Sequence, residues 1–147
     1  MRPDLFRGLI VDVPLVDVVT TMLDDTIPLT TSEYDEWGNP AEKAAYHYML
    51  SYSPYDNIQN TSYPDLLVTA DLNDNRSPFW MAAKWVARIR ARAKPGNLIA
   101  LKTRLGDTGS PGSGGPRDSF LRERALQLAF IIDRLGLGGA PTPGDGE

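Results

Sequence analysis

No cysteine occurs in the 147 residues, and His47 is the single histidine. The first absence excludes a disulfide scaffold, a thiolate zinc site and a cysteine nucleophile. The second excludes a multi-histidine metal centre. No apolar run approaches the length needed to cross a bilayer, and Met1-Arg2-Pro3-Asp4 contains no apolar signal core. A cytoplasmic, membrane-free location is therefore the expectation. Excess positive charge is also missing: 15 basic against 19 acidic side chains leave a net charge of −4, which argues against a general nucleic-acid binder.

What is present is an ordinary globular composition, 41% hydrophobic and 23% charged, with a size suited to one domain. Charge is unevenly placed. Residues 1–40 hold eight acids and two bases, whereas residues 84–104 hold seven bases and no acid. Lys84, Arg88 and Arg92 share one helical stripe without interleaved aromatics, which reads as a solvent-facing helix surface rather than a nucleic-acid site.

Three short apolar runs, 8–14, 66–71 and 97–103, read as strands, and the continuous apolar pattern suits strands buried on both faces. Helical spacing marks 79–93 and 120–135; in the latter, Leu121, Ala125, Leu128, Ile132 and Leu135 form one stripe. Shorter helices are expected over 15–23 and 41–50, with a long polar loop over 24–40 between them. Strands alternating with helices predict a parallel sheet joined by crossovers, an α/β fold. In such sheets the working residues lie beyond the strand C-termini, which singles out the loops 24–40, 71–78 and 104–119. Residues 136–147 hold five glycines and two prolines and read as a disordered tail, leaving 1–135 as the folded part.

Several motifs resemble the prolyl oligopeptidase family, especially its oligopeptidase B-like members. They are Arg2-Pro3-Asp4-Leu5-Phe6, Val13-Pro14-Leu15-Val16-Asp17-Val18, the stretch from Pro28 to Pro40, Ser51-Tyr52-Ser53-Pro54-Tyr55-Asp56-Asn57, Leu72-Asn73-Asp74-Asn75-Arg76 and Ala83-Lys84-Trp85-Val86-Ala87. The resemblance runs from Arg2 to about Gly136. It implies the C-terminal half of an α/β-hydrolase peptidase domain, with a triad in the order Ser, Asp, His. It also implies a piece of a larger serine endopeptidase. The family's G-x-S-x-G elbow precedes Arg-Pro-Asp-Leu-Phe, and no G-x-S-x-G occurs in the 147 residues. No cofactor is implied.

The resemblance assigns Asp74 as the triad acid, which would hold an imidazole in one tautomer. On position alone, Asp74 equally reads as a cap for the helix that starts near Pro78, and Asp71 as an ordinary loop acid. The family histidine aligns with Ser113, before Gly114-Gly115, and a serine side chain has no group that titrates near neutral pH to serve as base. His47 precedes Asp74, the wrong order for this fold. Glu33 and Asp35 align with the family's acid pair for a basic side chain; two carboxylates can bracket one guanidinium or ammonium. From spacing alone they read as a solvated acidic loop. Arg76 aligns with a contact to a substrate carbonyl, its alternative being a surface salt bridge. Trp37 and Trp80 are candidate pocket walls or packed hydrophobes.

The expected activity is thus peptide-bond hydrolysis after Arg or Lys in the intact enzyme, and none from this chain alone. The alternative is a non-catalytic remnant that binds peptides or a partner chain. Expected partners are oligopeptides with basic residues, and an upstream chain or a second copy that completes the sheet, since an open edge invites pairing.

Overall fold

The computed structural model of the chain describes residues 3–105 and 117–138. Three strands form one parallel sheet in the order β1 (Gly8–Asp12), β2 (Asp65–Asp71), β3 (Ile99–Arg104). Five helices accompany them among the described residues: α1 (Val18–Leu23), α2 (Tyr34–Trp37), α3 (Lys43–Tyr52), α4 (Phe79–Arg92) and α5 (Arg117–Arg134). The register places Gly8 beside Asp65, Leu66 beside Ile99 and Asp71 beside Arg104.

Every residue of β2 is buried, Asp65, Thr69 and Asp71 included, as suits a central strand covered on both faces. Leu66, Val68 and Ala70 point to one face and pack with Ala82, Val86 and Ile89 of α4; Leu9, Val11, Ile99 and Leu101 extend this core onto the neighbouring strands. A second core joins Val18, Val19 and Met22 of α1 to Met49 of α3, with Tyr34 and Trp37 beside them. Ser51-Tyr52-Ser53-Pro54-Tyr55-Asp56-Asn57 ends α3: the Asn57 side-chain amide donates to the carbonyls of Leu50 and Ser53, at 2.8 and 2.9 Å. That satisfies acceptors a helix C-terminus otherwise leaves orphaned.

Four expectations change. β1 stops at Asp12 rather than residue 14, because Val13 leaves extended backbone for φ 42°. The stretch 24–40 is not wholly loop; Thr31–Glu33 is a 3-10 turn that runs into α2. The Lys84, Arg88 and Arg92 stripe is not simply solvated: Arg92 is exposed and the other two half-buried, yet all three make contacts within the protein. Lys84 pairs with buried Asp17 at 2.5 Å, Lys84 and Arg88 both lie over the Tyr55 ring, and Arg92 donates to the Ile58 carbonyl at 3.0 Å. These cations clamp the connection that leads into β2. Finally, α5 turns a mixed face to the sheet, with Glu123 and Gln127 on it together with Phe130, whose ring lies against Gly8. Glu123 and Gln127 are buried, while Leu121, Leu128, Ile132 and Leu135 are each at least 44% exposed. The sheet face beneath α5 explains this, since it displays Asp12 and Lys102: Lys102 donates to Glu123 at 2.7 Å, and Gln127 donates to Asp12.

Ser113 lies outside the described residues, as do residues 139–147 of the expected tail. Among the described residues no helix is long and apolar enough to cross a membrane.

Candidate functional site

Beyond the C-terminal ends of β1 and β2 lies an open cavity of about 780 Å³. Its walls come from three places. Asp12 and Val13 end β1; Thr21 and Met22 belong to α1, with Ile27, Pro28, Thr30, Glu33 and Trp37 following; Asn73 to Ser77 form the loop after β2. Glu33, Asp74 and Arg76, distant in sequence, therefore line one concavity.

Asp74 organises its own loop. Its Oδ1 accepts the amides of Arg76 and Ser77, at 2.9 and 2.8 Å. A short acidic side chain that bonds amides two and three residues ahead stabilises a turn. Asp74 thus builds a turn in the loop ahead of α4 rather than capping that helix, whose N-cap is Pro78 without a side-chain bond, and the same bond fixes the backbone that carries Arg76. Asp71 departs from the loop-acid expectation. As the last residue of β2 it is 1% exposed, accepts the Asn73 amide at 3.0 Å and pairs with Arg104 of β3 at 3.3 Å. Their side-by-side register puts the two charges together, a signal invisible until the strands are aligned.

Glu33 and Asp35 part company. In extended chain, residues two apart share a side; in helical chain they are about 200° apart around the axis. Glu33 closes the 3-10 turn and Asp35 sits in the first turn of α2, so Glu33 lines the cavity while Asp35 is exposed and outside it. Gly38 ends α2 at φ 90°, with its position for a Cβ only 3.0 Å from that of Ala45. Trp37 lines the cavity and also supports the α1–α3 core, whereas Trp80 packs near Lys84, 5.3 Å from its ammonium. His47 is exposed on α3, edge-on to Tyr46, and does not reach the cavity wall.

Asp12 is a cavity residue that the motifs did not mark. Nothing in a short strand's pattern distinguishes a terminal acid that faces a site from one that faces water.

Chemically, the cavity offers the carboxylates of Asp12, Glu33 and Asp74 and the guanidinium of Arg76 among apolar side chains, groups able to pair with a cationic side chain and a peptide carbonyl. A family model described as "Prolyl oligopeptidase family" matches residues 1–137. The chain belongs to the prolyl oligopeptidase family. Protease 2 of Moraxella lacunata is 48% identical over 93% of this chain and 20% of its own length. Dipeptidyl aminopeptidase BI of Pseudoxanthomonas mexicana is 47% identical, with 93% and 19% covered. Among solved members of the family, oligopeptidase B from Trypanosoma brucei with covalently bound antipain superposes with a TM-score of 0.86 at 46% identity, covering 92% of this chain and 19% of that one. Oligopeptidase B from Leishmania major superposes at 0.85 with 44% identity over the same shares. The chain therefore spans about a fifth of the length of these prolyl oligopeptidase relatives, and the part it matches is peptidase domain, an α/β fold.

Proposed function

We propose that this chain is the portion of an oligopeptidase B-like serine endopeptidase that presents the orienting acid and the acidic substrate cavity. By itself it binds basic peptides without cutting them. The observation that carries this reading is the convergence of Glu33, Asp74 and Arg76 on one cavity at the C-terminal end of a parallel sheet, where such folds place their sites. Asp74 is the proposed triad acid, Glu33 the contact to an arginine or lysine side chain and Arg76 the contact to a substrate carbonyl. The Arg76 amide donates to Asp74, which keeps Asp74 and Arg76 in one loop geometry. A solved relative with antipain covalently bound supports a peptide-like occupant at the family's site.

Turnover needs a nucleophile and a base. No G-x-S-x-G occurs in the 147 residues, and the family histidine position carries Ser113. An acid that orients an imidazole does nothing without one. The pure chain is accordingly expected to leave an arginyl reporter amide intact while binding a short arginine-containing peptide in calorimetry, with Glu33→Gln weakening that binding about tenfold. Hydrolysis that a serine-directed inhibitor blocks would refute inactivity. Equal binding of peptides with and without a basic residue would refute the cavity's assignment. A remnant kept for binding and a part of a working enzyme share this behaviour, and adding the upstream part of a relative's peptidase domain separates them: restored cleavage favours the second.

A further inference from the structure

The carboxylate at the end of β1 is exposed and is held by neutral donors, whereas three buried acids of the molecule are held by cations. Asp17, Asp71 and Glu123 each pair with a cation, respectively Lys84, Arg104 and Lys102. Asp12 does not; among the described residues its partners are neutral donors. Thr69 Oγ1 donates to Oδ1 at 2.8 Å, and Gln127 Nε2 donates to Oδ1 and Oδ2 at 3.0 and 2.8 Å. Three such bonds fix the carboxylate in one orientation and leave its negative charge unneutralised. Asp12 is exposed, and it lines the same cavity as Glu33, whose own carboxylate meets no cation among the described residues. Asp35, two residues from Glu33, lies outside that cavity.

We propose that Asp12 is a specificity-determining residue of this site, acting with Glu33 on the guanidinium or ammonium of a basic peptide side chain, the place that the family resemblance gives to Asp35. Thr69 and Gln127 are its positioning residues. They hold the carboxylate ready, so that binding does not have to order it. The proposal rests on the peptide-binding reading above but adds a different residue to it.

The test measures calorimetric affinity of the 147-residue chain for a blocked peptide containing one arginine, and for the same peptide with citrulline in its place. Citrulline keeps the shape and removes the charge. Asp12→Asn is expected to lose about tenfold of the preference for arginine, the scale of one charge-assisted contact. Asp35→Asn is expected to change it less than twofold. Gln127→Leu, which retains the charge but frees the carboxylate, is expected to fall between the two; thermal melts show whether each variant is folded. An Asp12→Asn protein that melts like wild type and keeps the full preference overturns the proposal, as does a larger loss in Asp35→Asn. If the wild type itself prefers neither peptide, the cavity reading fails and Asp12 falls with it; if only Asp12→Asn is silent, the reading stands without Asp12.

Discussion

Asp17 precedes α1 and would ordinarily cap it, yet its carboxylate makes no capping bond. It turns instead to Lys84, and at 1% exposure it depends on that ammonium. Removing one member of a buried pair costs more than the pair contributes, because a charge is left without compensation. Lys84→Met is therefore expected to lower stability by about 2–3 kcal/mol in urea unfolding. The double variant Asp17→Asn/Lys84→Met should recover a good part of that loss. A single variant as stable as wild type would show that Asp17 is satisfied otherwise. Gly38 is the other residue whose identity is dictated locally. At φ 90°, and with Ala45 against its missing Cβ, Gly38→Ala is expected to cost about 1–3 kcal/mol, read from the same urea curves. The motifs marked Glu33, Asp74 and Arg76, and the fold gathers these three into one cavity. Sequence reading missed where position depended on tertiary alignment. Asp71 reads as a loop acid until β3 brings Arg104 beside it, and Asp12 reads as the polar end of a strand until α5 supplies Gln127.

At the scale of elements, α5 is the informative case. Its apolar stripe was legible, but the direction it faces was not, because that depends on the polarity of the sheet surface beneath. With Lys102 and Asp12 on that surface, the helix turns Glu123 and Gln127 inward and leaves Leu121, Leu128, Ile132 and Leu135 outside. An apolar stripe at heptad-like spacing is a seam for another helix or apolar surface. Leu128→Lys/Ile132→Lys should accordingly reduce self-association without loss of helix content, measured by sedimentation and far-ultraviolet circular dichroism. Loss of the helix signal would mean that the stripe supports the fold. The stretch 24–40 teaches the converse. Its polar composition and its length suggested loop, while the short helical turns inside it are held by contacts that composition does not show, such as the Tyr34 hydroxyl donating to the Met22 carbonyl at 3.1 Å.

Across the whole molecule, β2 is covered on both faces and both edges, whereas β1 and β3 each have one edge unpaired among the described strands. With the outward seam of α5, these features leave much of the chain's cohesive surface open. The 147-residue protein is expected to associate as its concentration rises, through β1 and α5. A monodisperse species from micromolar to millimolar concentration, with a sharp cooperative melt, would contradict this. The parallel order of strands and helices was the most legible part of the molecule, because buried parallel strands write themselves as continuous apolar runs.

The Arg76 amide donates to Asp74, so the roles proposed for these two residues are mechanically linked. In an intact relative with this loop, a lesion at the acid would slow the chemical step and also loosen the grip on substrate, so kcat would fall and KM would rise together. On the proposed reading, a change at Asp74 cannot spare the backbone that carries Arg76.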